Sequence, residues 1–407
     1  MADEVRLPAD RRAGVAQGLT VVIAGFLPIM AIVSLFPAVP SIIDHFKADP
    51  TASWKVPWMV TAPGLAIALI APFAGVLVDR FGRRRLVVWS TFFYGALGSA
   101  PFFLTSLDAL FASRILLGVS EAAILTTLNT LIGDYWDDAG RRRWLAIQGA
   151  VGPFLASGLI LGSGYLTGIR WNAVFLVYLL AFLIFAAMLA FLFEPDSDDT
   201  ARRMLGIDEE PVDTGFPARA VALIGGVTLL CSLLYYVFIV NGGLVFREAG
   251  IQSSEELGRI TFIPSLFVIA GSGLFWLTGR LRSVTQIAIV LALTGAGLLI
   301  MGLAPDWKSM IPGLCLQQAG SGMTIPTLIA WAQTKLPFEH RGRGMGIWAA
   351  CFFAGQFLSP PIVALLVSGV GTMKSAFAWS GVAAVIGMLV ALLFVLRRPA
   401  ASPLAHA

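Results

Sequence analysis

The stretch LDALFASRILLGVSEAAILTTLNTLIGD (Leu107–Asp134) decides the fold. It is long enough to cross a bilayer, for which about 20 apolar residues suffice, yet it carries Arg114 and Glu121 well inside it. As a helix, at 1.5 Å rise per residue, it holds the two charges roughly 10 Å apart along its axis and on nearly one face. Gly118, one turn from each, leaves that face open to a neighbouring helix or a ligand. Ionisable groups at membrane depth cost at least ~2.5 kcal/mol on insertion scales and normally face a bundle interior or a wet cavity. A buried structural ion pair is one way to meet that cost. A coupling and substrate site inside a transporter is the other, and is the reading favoured here.

Composition supports a membrane protein. Of the 407 residues 57% are hydrophobic and 13% charged, too few polar groups to build a water-soluble surface. The net charge of +4 lies in short basic clusters between apolar runs rather than on one face, which excludes a nucleic-acid footprint. Cys231, Cys315 and Cys351 sit in apolar segments without a CxxC, and His45, His340 and His406 form no cluster. No metal, cofactor or disulfide is expected.

Hydropathy gives an all-α membrane protein of twelve spans, at 18–39, 57–78, 85–105, 107–133, 143–166, 171–193, 218–246, 258–279, 284–304, 309–334, 343–369 and 374–396. The implied organisation is a tail over 1–17, a six-helix bundle over 18–193, a polar central loop over 194–217, a second six-helix bundle over 218–396 and a tail over 397–407. The first apolar run lacks a small-residue cleavage site and reads as a retained helix rather than a signal peptide. Placing both termini in the cytoplasm puts twenty Lys and Arg inside and seven outside, Arg114 being set aside as intramembrane.

The two halves repeat. GVLVDRFGRRR (Gly75–Arg85) has its counterpart in GLFWLTGRLRS (Gly273–Ser283), and DYWDDAGRRRWLAIQG after the fourth span in KLPFEHRGRGMGIWAA after the tenth. GPFLA (Gly152–Ala156) matches GQFLSP (Gly355–Pro360). Parallel repeats of this kind place a substrate site at the bilayer midplane between the halves.

These landmarks resemble the major facilitator superfamily over nearly the whole chain. Gly75-x-x-x-Asp79-Arg80-x-Gly82-Arg83-Arg84 is similar to that family's signature loop, and the resemblance implies a latch that holds the halves in the outward-open state. Arg114-Ile-Leu-Leu-Gly118 is similar to its fourth-helix arginine motif, which implies proton coupling. RILLGVSEAAILTTLNTLIGDYW also resembles the fourth helix of spinster-type lipid transporters and of organic-anion symporters, with a Glu at position 121. Gly149-x-x-Gly152-Pro153 is similar to the antiporter motif of drug/proton exchangers, although Ala156-Ser157 stands where two glycines are usual. LFPAVPSIIDHF at the end of the first span looks like the drug-efflux branch. It lacks the spinster pattern, and no carboxylate lies between Gly18 and Ile43.

Together these imply a proton-coupled secondary transporter that effluxes small amphipathic or drug-like molecules by alternating access. The alternatives are a spinster-like lysolipid or sphingolipid transporter and an organic-anion/proton symporter. Glu121 and Arg114 are the coupling pair: burial favours the neutral acid, the arginine favours the carboxylate, and proton loss converts an unbalanced cation into a neutral pair. Substrate contacts are expected from Asn129 and Gln148 in the first half. In the second half they are expected from Tyr235, Tyr236, Asn241, Gln317, Gln318, Trp331, Phe353 and Gln356. Trp54 and Trp58 read as interfacial anchors, and Asp44-His45 as a solvated loop pair. An enzyme is excluded: Gly118-Val-Ser120-Glu-Ala122 lacks a histidine partner, and no GxxxxGK[ST] exists for ATP. The expected partners are a small-molecule or lipid substrate, protons and the bilayer, with a monomer in a bacterial inner membrane.

Overall fold

The computed structural model describes residues 13–195, 216–337 and 340–396, without the side chains of Ala74, Gly75, Val76, Asp79, Asp138, Ala139, Arg142, Ala146, Arg341 and Gly342. The residues 1–12 and 397–407 of the expected tails, and 196–215 of the expected central loop, lie outside the described residues. Among the described residues every regular element is helical. Ten helical stretches are long and apolar enough to cross a membrane.

The first span is broken into α1 (Val15–Ala24), α2 (Leu27–Val33) and α3 (Val39–His45). The second runs through α4 (Ala52–Ile70), a 3₁₀ turn (Ala71–Phe73) and α5 (Ala74–Phe81). Then come α6 (Arg83–Ser99), α7 (Leu107–Tyr135) and α8 (Asp138–Ile169). The sixth span begins as a 3₁₀ helix (Ala173–Leu179) and continues as α9 (Leu180–Phe191). The second half holds α10 (Ala218–Glu248), α11 (Ser254–Ser265) and α12 (Phe267–Leu277), then α13 (Ser283–Leu303), α14 (Trp307–Lys335), α15 (Arg341–Val370) and α16 (Met373–Leu396).

Two of the twelve expected spans, α6 and α14, are not among the ten apolar stretches. α6 is 17 residues long and opens on three arginines. α14 is 29 residues long but carries Gln317, Gln318, Ser321, Thr324 and Thr327, all buried. α14 is buried along most of its length against α12 and α13, which lets it be more polar than a lone span. α6 packs one face on α7 and α9, where Ser90, Thr91 and Tyr94 are buried, and turns Trp89 and Phe93 outward.

Packing without a hydrophobic drive between helices depends on small residues that let backbones approach. A Cβ on Gly118 of α7 would collide with the backbone of Pro63 in α4, and one on Gly98 of α6 with the ring of Tyr178. In the second half, Gly297 of α13 meets Gly313 of α14 in the same way, and Gly322 of α14 meets Val268 of α12.

The bundles meet through α3 on α10, α8 on α11 and α4 on α15. Polar cross-contacts gather toward the arginine-poor face. Arg247 Nη2 lies 2.8 Å from an Asp44 carboxylate oxygen and Arg247 Nη1 donates to the Pro40 carbonyl at 3.1 Å. The hydroxyls of Ser41 and Ser254 are 2.8 Å apart. Deeper in the bilayer, those of Ser157 and Ser265 are 2.6 Å apart. Toward the arginine-rich face, open space surrounds Gly149 and Gly152 of α8.

Candidate functional site

The site is built on α7. Ser106 precedes the helix and Asp108 stands in its first turn, where a carboxylate suits the positive end of the helix dipole; it also pairs with Lys55 of α4. Thr126, Thr127 and Thr130 return their hydroxyls to carbonyls four residues back, so the helix needs no outside partner for them. Arg114 and Glu121 are 0% and 1% exposed, on the one face that their spacing requires. That face is closed at Gly118 by Pro63 of α4, a neighbouring helix rather than a ligand.

Arg114 and Glu121 are joined by no hydrogen bond or ion pair among the described residues. Arg114 Nη2 donates instead to the Ala31 carbonyl at 2.8 Å and to the Tyr178 hydroxyl at 2.7 Å, and its guanidinium carbon lies 5.0 Å from the centre of the Tyr178 ring. The Tyr178 hydroxyl itself donates to Ala31 at 3.0 Å, and the Tyr94 hydroxyl donates to the Leu27 carbonyl at 2.5 Å. Arg114 Nε and Nη1 and Glu121 Oε2 are buried without partners.

The Ala31 carbonyl is available for a reason legible in the chain. Pro37 has no N–H and disfavours helical backbone at Phe36, so the helix tightens before it. Leu35 N bonds Ile32 O and Phe36 N bonds Val33 O, both three residues back, and the Ala31 carbonyl loses its usual donor.

Across the bundle interface, Tyr236 of α10 lies within electrostatic reach of Glu121. Tyr235, Tyr236, Trp348 and Phe352 form one aromatic cluster there, and Phe353 touches its edge. Gln356 is fully buried with both amide atoms unpartnered, beside Gly64 of α4. Gln317 bonds Ser321 through its Nε2 and leaves its Oε1 free, and Trp331 Nε1 is also buried and free. Asn241 is buried and donates to its own helix at Val237, and Gln318 is buried in α14. Asn129 is exposed and Gln148 half-buried against Gly25 of the first span, both on the arginine-rich side of Glu121. Thus Tyr235, Tyr236, Phe353 and Gln356 share the interface, whereas Asn129 and Gln148 lie apart from them. Sequence reasoning missed Tyr94, Tyr178, Trp348 and Phe352; the scarcity of tyrosine, six in the chain, was the available signal.

At the signature loop, Gly82 takes φ +76°, a backbone region that glycine reaches without strain. Glu194, at the end of the sixth span, accepts from Arg83 N at 2.6 Å and Arg84 N at 2.8 Å, capping the bare start of α6. Arg83 Nε donates to Asp134 at 2.8 Å, and Arg84 Nε to the Leu192 carbonyl at 2.6 Å. Arg80 is exposed over the Phe81 ring. Gly75 and Asp79 fall in α5, their side chains outside the described residues. In α8, Gly149 and Gly152 stand in open space, Pro153 is inside the helix, and Ser157 at the usual glycine position bonds Ser265 of the other bundle.

The Major Facilitator Superfamily model matches residues 21–287 and 252–406. The chain belongs to the major facilitator superfamily. A member of that family is a secondary transporter, not an enzyme. The multidrug efflux pump LfrA of Mycolicibacterium smegmatis is 28% identical over 312 residues, 72% of this chain and 60% of LfrA, so the match spans less than two thirds of that relative. The enterobactin exporter EntS of Salmonella choleraesuis is 26% identical over 406 residues, covering 92% of this chain and 91% of EntS. The crystal structure of a bacterial homolog to the human lysosomal transporter Spinster, inward-facing and unoccupied, superposes with TM-score 0.69 at 14% identity, covering 93% and 95% of the two chains. That last likeness bears on the fold alone.

Proposed function

We propose that this transporter exports small amphipathic molecules in exchange for protons, by alternating access between its two bundles, with Glu121 as the proton-exchanging group. The observation that carries the reading is Glu121 itself: a carboxyl 1% exposed, with Oε2 unpartnered, within electrostatic reach of Tyr94 and Tyr178 in its own bundle and of Tyr236 in the other. A buried carboxyl without an ionic partner costs far less as the neutral acid than as the carboxylate, so its proton traffic is tied to which side of the membrane the interface opens. The named relatives, a multidrug efflux pump and an enterobactin exporter, support export as the direction.

The aromatic cluster on α10 and α15 suits an apolar body with a polar tip. Arg114, fully buried and engaged by Ala31 and Tyr178, is not presented to an anionic ligand, which weighs against an organic-anion symporter. With the arginine-rich face in the cytoplasm, the seam at Asp44–Arg247 closes the outer side.

The test is proton flux in proteoliposomes, read by an internal pH dye, with ethidium, tetraphenylphosphonium, p-aminohippurate and lysophosphatidylcholine as probes. Export coupled to proton entry is expected for one of the cations in the wild type and not in Glu121→Gln. Coupled transport that persists in Glu121→Gln would sink the assignment of the proton site. Flux with lysophosphatidylcholine alone would replace the substrate class.

A further inference from the structure

We infer that Tyr178 is a positioning residue that parks Arg114 on the freed carbonyl of Ala31, and that Arg114 alternates between this seat on the first span and the carboxylate of Glu121. The inference rests on the proposed proton exchange at Glu121. It adds the element that would read that exchange: the broken first span.

Four observations carry it. Arg114 is fully buried yet spends only Nη2, on Ala31 and Tyr178, leaving Nε and Nη1 without acceptors. Glu121, two turns along the same face of α7, has a free oxygen and no cation bonded to it. The Ala31 carbonyl is open only because the backbone ahead of Pro37 tightens. Tyr178 can hold the arginine there because it touches both partners, with its ring over the guanidinium and its hydroxyl on the same carbonyl. Gly98 of α6 makes room for that ring.

A buried arginine with idle donors beside a carboxyl with an idle oxygen has two competing seats. While Glu121 holds its proton, the first-span carbonyl and Tyr178 are the better acceptors. When Glu121 passes its proton to water, the carboxylate becomes the stronger acceptor, and a charge-assisted bond outweighs a neutral one. Arg114 then leaves Ala31, and the turn before Pro37 loses a side chain that ties it to α7.

The other titratable groups facing the pair are Tyr94 from α6 and Tyr236, with Tyr235 beside it, from α10. α4 brings only Lys55, at its far end and paired with Asp108. The first span brings only Asp44 and His45, beyond its second break, and α9 brings none.

The experiment is hydrogen–deuterium exchange on the substrate-free protein, reading peptides over residues 31–38 between pH 5 and 9 and correcting for intrinsic exchange. Wild type, Tyr178→Phe and Glu121→Gln are compared. Phenylalanine keeps the ring against Gly98 and removes only the hydroxyl, so the packing stands. In the wild type, protection of this segment should fall through one titration as pH rises. Tyr178→Phe should show the same fall with its midpoint lower by about one unit, tenfold in proton concentration, which is what one hydrogen bond to a charged group commands. Glu121→Gln should be flat.

A Tyr178→Phe curve that superimposes on the wild type overturns the positioning role. A uniform loss of protection with an unmoved midpoint also overturns it, since that is what a merely structural tyrosine would give. A flat wild-type curve overturns the alternation, while proton flux in liposomes with Glu121→Gln inactive would leave the proposed function standing. Glu121→Gln that still moves protons fails the proposed function by itself, whatever Tyr178→Phe does.

Discussion

Arg247→Ala should loosen the closed face of the transporter by an amount that the geometry allows to be worked out. Arg247 projects from α10 and makes two bonds to the other bundle: an ion pair with Asp44 at 2.8 Å and a hydrogen bond to the Pro40 carbonyl at 3.1 Å. The ion pair is partly exposed, 32% and 57% for the two side chains, so it belongs with surface pairs worth about 0.5–1 kcal/mol. The carbonyl bond is part-buried and adds about 1 kcal/mol. Together they weight the closed arrangement by about 1–2 kcal/mol, a factor of roughly 5 to 30 in the closed-to-open ratio. Asp44→Asn, which spares the carbonyl bond, should move that ratio less. The assay is electron–electron double resonance between spin labels at Lys47 and Gln252, both exposed and on opposite sides of the seam. The long-distance population should grow in Arg247→Ala. In the wild type it should grow partway on raising salt toward 1 M, where the screening length drops to ~3 Å. Distance distributions that superimpose in the two proteins at both salt levels would refute the reasoning, and the seam would then be held by the serine pairs and by helix packing across the interface.

Gly98→Ala should lower the melting temperature in detergent, at a cost of about 1–3 kcal/mol, because the new methyl group enters the space of the Tyr178 ring; an unchanged melt would mean that α6 yields freely. Asp306 caps α14, and the Ser309 backbone N–H that it accepts holds its carboxyl below the usual carboxylate range. A group so lowered contributes stability above its unfolded value, and the contribution disappears as pH falls through the folded one. Asp306→Ala should therefore melt below the wild type at pH 7, the gap narrowing as the pH falls below the usual carboxylate range, and a gap that does not narrow in acid would assign the effect to packing.

Much of this architecture could be read from the chain, and the limits have physical reasons. The spacing of Arg114 and Glu121 places both on one buried face, and the structure agrees. Which atoms Arg114 would touch was not legible, because Ala31 and Tyr178 arrive from the first and sixth spans through tertiary packing. Pro37 was in plain view, and its missing N–H announces the break in the first span; hydropathy, blind to hydrogen bonds, reads straight through it. Asp44-His45 looked like a solvated pair, yet Asp44 meets Arg247 from over 200 residues away and His45 stacks on Trp171 at 4.1 Å. Helix and polarity make Asn129 and Gln148 first-half candidates for substrate contact, but neither signal gives depth, and both lie on the arginine-rich side, apart from the second-half residues.

The broken first span also bears on the mechanics of transport. A continuous helix resists bending because each kink tears a main-chain bond in a medium that offers no water to replace it. Here the tear is built in: the proline supplies no N–H to lose, and the orphaned carbonyl is already held by a side chain. Three short rods linked at Gly25–Phe26 and at Ser34–Ala38 can swivel at those joints while the rods stay intact. At the second joint the grip that a gate must release includes one arginine and one tyrosine, both on the Ala31 carbonyl.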